Sequence, residues 1–168
     1  NTEKDPKNVS KSTEKKVRNE DYIIRIKSSV QQFEHLGTAS EEEQDKIELM
    51  TRGSLVKKGG SFYISYKETQ TIGFEGCTTT IKVAEDGSRV AMLRFGRANA
   101  QLLIDRGRRN LCHYETEVGS LTLGVTGDGI ECGLTEKGGT VVFSYLLDAD
   151  DASMISRNTL EMTVQHVN

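Results

Sequence analysis

Hydrophobic residues along most of this chain recur at every second position, in short runs separated by polar turns. In residues 22–33, the alternation places Ile24, Ile26 and Ser28 on one face. Because successive side chains of a β-strand point to opposite faces, this pattern indicates half-buried strands. Similar runs follow at 47–57, 61–69, 77–85, 89–96, 100–107, 109–116, 120–126, 129–136, 140–148 and 156–167. The pattern predicts ten or eleven short strands and no helix longer than two turns.

Glycine-rich turns separate the predicted strands. The chain contains 16 Gly but a single Pro, Pro6. Gly reaches positive φ values at low cost, and tight hairpin turns need such values. KKGG at 57–60 therefore predicts the clearest hairpin, and GVTGDG at 124–129 is interpreted as a turn between two strands. The polar residues 35–46 are compatible with either a short helix or a long charged hairpin loop.

Many short strands joined by tight hairpins are typical of antiparallel barrels and sandwiches. A doubly wound α/β fold is excluded, because it needs helical crossovers between its strands. A meander of about eight or more strands tends to close, which removes its exposed edges. We therefore predict an all-β fold, an antiparallel up-and-down barrel over residues 21–168, with a sandwich as the alternative. Residues 1–20 contain only two aliphatic side chains, Val9 and Val17, and are predicted to form a flexible charged tail.

Composition and charge narrow the possible functions. The 168 residues include 22 basic and 25 acidic side chains, which excludes a strongly basic nucleic-acid-binding protein. No apolar run approaches the roughly 18 residues of a membrane-spanning helix. Cys77, Cys112 and Cys132 match no zinc motif, and we predict no metal or cofactor. Three scattered thiols favour a reducing compartment, so we expect a cytoplasmic location.

Three stretches carry a resemblance to a known family: GGSFYISYKETQTIGFEGCTTTIKV at 59–83, RVAMLRFG at 89–96, and Tyr114-Glu-Thr116 followed by Gly119. Over roughly residues 22–167, the chain resembles the YwiB-like family of uncharacterised bacterial β-barrel proteins. The resemblance implies a calycin-like barrel, the fold class of lipocalins and fatty-acid-binding proteins. It also implies a lumen for a small apolar ligand, which is an analogy at the level of fold.

Three predicted strands place ionisable and hydroxyl side chains on common faces. Tyr66 and Glu68 share a face of one strand. Thr80 and Lys82 share a face of the next strand, and Arg94 lies on the third. If these faces point inward, the lumen holds a paired charge cluster that would fix the head group of a small anionic or amphipathic ligand. The alternative is that the charged ends lie at the rim or outside and form an ion-pair network.

Two further clusters have simple structural explanations. Cys112 and His113 are neighbours on a strand, so they point to opposite faces and cannot form a catalytic pair with each other. Arg106, Arg108 and Arg109 surround a glycine turn, where a basic hairpin tip keeps a sheet edge soluble.

No nucleophile–base arrangement is visible in the sequence, so we expect no enzymatic activity. Two hypotheses for the function follow. The first is a non-enzymatic barrel that binds a small ligand in its lumen. The second is a structural or protein-interaction module whose barrel is filled by its own side chains.

Overall fold

The structure is a computed structural model that describes residues 21–35, 38–68, 76–96, 98–116, 119–149 and 155–167. The predicted tail at 1–20 lies outside the described residues and stays a prediction. Ten strands follow one another along the chain: β1 (Tyr22–His35), β2 (Thr38–Lys58), β3 (Ser61–Lys67), β4 (Thr78–Ala84), β5 (Arg89–Phe95), β6 (Ala100–Asp105), β7 (Arg109–Thr116), β8 (Gly119–Thr135), β9 (Gly138–Ala149) and β10 (Ile155–His166). The described ranges contain no helix, and therefore none that would span a membrane.

The strands form one closed antiparallel barrel in which each strand pairs with its neighbours in sequence. β1 closes the barrel by pairing with β10 on one side and β2 on the other. The predicted antiparallel up-and-down barrel is thus confirmed, and the alternative sandwich is not formed. Closure gives every strand two neighbours, which limits the open sheet edges. The seam between β6 and β7 is the weakest, because only Ala100 and Tyr114 pair across it among the described residues. The arrangement is consistent with a calycin-like fold.

Alternating strand residues point into the lumen and build the hydrophobic core, as β3 and β4 show. In β3, the even-numbered residues are buried, whereas in β4 the odd-numbered ones are. The largest fully buried side chains are Phe62, Phe143, Ile24, Ile64, Ile81, Ile104 and Met162. Burying each such side chain contributes about 1.5–3 kcal/mol to folding. The core therefore supplies the main driving force for barrel formation.

The hairpin predicted at KKGG is present between β2 and β3. Gly59 and Gly60 adopt φ values of 58° and 77°, in the left-handed region that glycine enters at low cost. Lys58 pairs with Ser61 across this two-residue turn. The local sequence chemistry therefore specified both the position and the tightness of this connection.

GVTGDG is not a turn, which corrects the sequence interpretation. These residues lie inside the single long strand β8, and the register with β9 shifts between Gly127 and Gly129. A Cβ atom at Gly127 would lie 2.3 Å from the backbone oxygen of Asp105. The glycine therefore allows the β6–β7 connection to pack directly on β8. This bulge merges two predicted strands into one and gives ten strands instead of eleven.

Residues 38–46 are extended, so neither the helix nor the loop predicted for the polar stretch is formed there. β2 begins at Thr38, and its backbone pairs with β1 at Val30–Asp45 and Gln31–Gln44. Backbone hydrogen bonds in a ladder do not depend on side-chain polarity. Pairing with β1 therefore overrides the weak strand tendency of this charged segment.

Candidate ligand-binding site

One part of the barrel lumen is not filled by the core. It contains a cavity of about 320 Å³ whose lining comes from seven consecutive strands, β4 to β10. Met92, Leu102, Leu123 and Leu147 supply much of its apolar wall. Leu121, at 51% exposure, lies where the cavity meets solvent. The barrel therefore combines a packed core with a partly enclosed pocket.

A polar cluster lies beside this pocket. The Thr79 hydroxyl donates a hydrogen bond to the Glu68 carboxylate over 2.5 Å. Arg94 Nη2 lies 3.6 Å from the same carboxylate, and only 2% of the Glu68 side chain is exposed. Arg94 Nη1 also donates to the Tyr114 hydroxyl over 3.1 Å. The buried carboxylate thus has both a hydrogen-bond donor and a compensating positive charge.

Local backbone geometry positions Glu68 just beyond the end of β3. Its N–H donates to the carbonyl oxygen of Cys77 over 2.8 Å, immediately before β4 begins. Glu68 keeps the inward parity of Phe62, Ile64 and Tyr66, because strand side chains alternate with period two. The carboxylate is therefore carried into the lumen by the same alternation that buries the core.

Three of the five predicted lumen residues, Tyr66, Glu68 and Arg94, point inward. Tyr66 and Glu68 are both buried, and the Arg94 side chain is 15% exposed. Arg94 lines the cavity directly, whereas Tyr66 lies among the core residues next to it. The structure thus brings Glu68 and Arg94 together inside the barrel. Their role in ligand binding stays a prediction.

Thr80 and Lys82 lie on the outer face of β4, so their predicted lumen position is wrong. Lys82 is exposed, with Nζ 5.5 Å from the centre of the Tyr63 ring. The Thr80 hydroxyl forms a 2.9 Å hydrogen bond with that of Ser65. The reason is register, because Thr79, not Thr80, pairs with inward-facing Tyr66. The two-residue period of a strand shows which residues share a face. It does not show which of the two faces points into the barrel.

Four polar cavity residues were missed by the sequence reasoning: Thr79, Tyr114, Tyr145 and Asn158. A signal for Thr79 existed in the sequence, because it shares odd parity with the apolar Ile81 and Val83. Tyr114, Tyr145 and Asn158 come from β7, β9 and β10, far from β3–β5 along the chain. Only closure of the barrel brings these strands around the same cavity.

Two buried tyrosines keep their phenolic protons. Burial raises the pKa of Tyr145 far above its ordinary value; Tyr114 adds to this effect and Arg94 opposes it. Burial likewise raises the pKa of Tyr66, the Glu68 carboxylate raises it further, and Arg94 lowers it. Both hydroxyl groups are therefore neutral donors throughout the physiological pH range.

The other candidate clusters are used within the fold. Cys112 is buried and His113 is exposed, on opposite faces of β7 as predicted. Arg109 forms two hydrogen bonds with the Asp148 carboxylate, over 3.0 and 2.5 Å. Arg106 donates to the backbone oxygen of Ile130 over 2.8 Å. Across the described ranges, no three acidic, cysteine or histidine side chains are grouped to hold a metal ion.

The fold and the cavity define a small, closed up-and-down β-barrel with a partly polar lumen. Residues 24–162 match the family described as a domain of unknown function, DUF1934, and the chain belongs to that family. It is also similar to the crystal structure of the ywiB protein from Bacillus subtilis, with a TM-score of 0.66 and 21% sequence identity. That similarity covers 88% of this chain and 92% of the other, and it shows the shared fold. The comparison with curated proteins found no match.

Proposed function

We propose that this protein is a non-enzymatic β-barrel that binds a small anionic or amphipathic molecule in its lumen. The observation that carries the proposal is a 320 Å³ cavity with apolar walls and a few convergent polar groups. This combination is typical of small-molecule sites, in which apolar contacts give affinity and polar groups fix orientation. Arg94 and Tyr114 supply the polar contacts on one side of the cavity, and Tyr145 and Asn158 supply those from β9 and β10.

The arrangement of polar groups favours binding over catalysis. Glu68 accepts a hydrogen bond from Thr79 and is paired with Arg94. A general base needs a proton acceptor free to reach the substrate, whereas this carboxylate is occupied and nearly fully buried. Within the described lining, there is no cysteine or histidine. We therefore propose that the protein holds its ligand unchanged.

Native mass spectrometry of the protein from its own host tests this proposal. We expect an additional small mass that survives gentle ionisation. Ala100→Phe should remove it, because Ala100 lines the cavity and the larger ring would fill it. Gln101→Phe is the matched control, since Gln101 is the next residue on β6 and is exposed on the outer face.

The outcomes separate the proposal from its competitors once unchanged melting curves show that both variants are folded. A retained mass that Ala100→Phe removes and Gln101→Phe keeps supports binding in the cavity. No retained mass in the wild-type protein, or one that is equally insensitive to both substitutions, contradicts it.

The alternative, a protein-interaction module, is favoured by exposed apolar side chains on the outer surface. Met50, Phe95 and Leu111 are 63%, 58% and 60% exposed. Such residues are common singly on soluble proteins, so the alternative needs an assembled complex as its support. The same mass spectra report assembly, and a stable oligomer without a small ligand favours the interaction module.

We also propose a cytoplasmic location, on the basis of thiol chemistry. Cys77, Cys112 and Cys132 are all free, and the first two are buried. Thiols stay unpaired in reducing compartments, whereas disulfides form and persist in oxidising ones. Fractionation of host cells, with immunodetection of the protein, tests this assignment.

A further inference from the structure

We infer that the ligand of this cavity is a short, uncharged amphiphile whose carbonyl oxygen accepts a hydrogen bond from Tyr145. The inference deepens the proposed lumen-binding function and rests on it. It replaces the broad class of anionic or amphipathic molecules with one chemical class, that of neutral amides, esters and lactones with a short alkyl chain. Three properties of the cavity carry it: volume, charge and hydrogen-bond capacity.

The volume limits the length of the ligand. The cavity measures about 320 Å³. An apolar cavity of roughly 150 Å³ holds one benzene molecule, so this cavity holds about a dozen non-hydrogen atoms. That is enough for a polar head and a medium-length alkyl chain along Met92, Leu102 and Leu147. A long-chain lipid does not fit inside it.

The charge of the site argues against an anionic head group. Arg94 is the only charged residue in the described lining, and its guanidinium lies 3.6 Å from the Glu68 carboxylate. These two charges cancel. A carboxylate ligand near Arg94 would bring a second negative charge to a guanidinium that is already compensated. In a desolvated site that extra charge is costly, whereas a neutral head group carries no such penalty.

The cavity offers hydroxyl donors, which favours a ligand that carries a hydrogen-bond acceptor. Tyr145 lines the cavity and is 5% exposed, and no hydrogen bond joins its hydroxyl to a described residue. The Tyr145 hydroxyl is open to the cavity and is not sealed inside the core. A ligand that covers this hydroxyl must offer an acceptor, because a covered donor without one loses a hydrogen bond. Burial raises the pKa of Tyr145, which keeps its proton available. The neighbouring Tyr114 hydroxyl accepts from Arg94, so its own proton is also free for donation.

Isothermal titration calorimetry with octanamide and octanoate tests the inference at neutral pH. The two probes have the same chain length and shape and differ in charge. We expect octanamide to bind at least about tenfold more tightly to the wild-type protein, because only octanoate brings an uncompensated charge. This comparison needs no variant, so it does not depend on the folding of a mutant.

Tyr145→Phe tests the assigned donor, because it removes one hydroxyl and leaves the ring in place. It should weaken octanamide binding about fivefold, as expected for one neutral hydrogen bond. Tyr63→Phe is the control, since Tyr63 is half-buried on the outer face of β3 beside Lys82. It should leave the affinity unchanged, and melting curves of both variants verify their folding.

Each result decides a different part of the argument. Octanoate binding as tightly as octanamide overturns the neutral-ligand inference but leaves the proposed lumen function intact. Equal effects of Tyr145→Phe and Tyr63→Phe overturn the assignment of Tyr145 as the donor. If neither probe binds and the protein from its own host retains no small molecule, both the inference and the proposed function fall.

Discussion

Glu68 shows at the scale of one residue how a charge is held inside a β-barrel. Its side chain is 2% exposed, and it is stabilised by the Thr79 hydroxyl and the Arg94 guanidinium. Removing water from a carboxylate costs several kcal/mol, which a hydrogen bond and an opposite charge offset. Glu68 and Arg94 therefore each need the other in order to be buried.

Single substitutions within this pair should be strongly destabilising. Glu68→Gln leaves a buried guanidinium without its counter-charge, and Arg94→Met leaves a buried carboxylate without one. We expect each to lower the free energy of unfolding by about 3 kcal/mol. The double variant should cost clearly less than the sum, since no unpaired charge remains. Urea denaturation of the four proteins measures this, and small additive losses would show that solvent screens the pair.

At the scale of one element, β8 needs a glycine at the point where the β6–β7 connection packs against it. A Cβ atom at Gly127 would lie 2.3 Å from the Asp105 backbone oxygen, and the backbone cannot move aside without disturbing β6. Arg106 and Gly127 also form an isolated bridge there. Gly127 has no positive φ value, so its backbone conformation does not itself call for glycine. Close packing is therefore the reason that glycine is required at this position.

Gly127→Ala should therefore destabilise the barrel by about 1–3 kcal/mol through overpacking. Gly129→Ala is the matched control in the same strand, because the nearest atom to its added Cβ is Ser144 Oγ at 3.9 Å. The control should change stability by less than about 0.5 kcal/mol. Urea denaturation compares the two, and equal effects would mean that close packing at Asp105 is not the cause.

At the scale of the whole molecule, closure makes the first and last strands neighbours. Tyr22 pairs with His166, and the Val167 N–H donates to the Asp21 oxygen over 2.8 Å. The Gly59–Gly60 turn is open, with nothing within 4 Å of an added Cβ at either position. The order of strands around the barrel is therefore kept when the chain is opened in this turn and its ends are joined.

A circular permutant follows from this closure. Linking residue 167 to residue 21 through a short Gly-Ser segment and opening the chain between Gly59 and Gly60 should give the same barrel. We expect its unfolding free energy to remain within about 2 kcal/mol of the parent, because only loop connections change. Circular dichroism and urea denaturation test this. A permutant opened inside β9, between Phe143 and Ser144, is the control and should not fold.

Strand positions and hairpins could be predicted because they depend on local chemistry. Alternation marked β1 and β3, and paired glycines marked the turn between β2 and β3. The same local reasoning failed at β8, since a bulge and a tight turn use the same residue types. It failed in β2 because ladder pairing with β1 overrides the polarity of residues 38–46.

The sequence by itself determined an all-β meander and which side chains share a face. It offered Glu68, Lys82 and Arg94 as a charge cluster and left open whether their faces point inward or lie at the rim. Only the tertiary structure decided that Thr79 faces inward in place of Thr80, because inside and outside are defined by packing against other strands. Only closure brought Tyr114 and Tyr145 to the same cavity as Arg94, since residues distant in sequence meet through sheet order and not through periodicity.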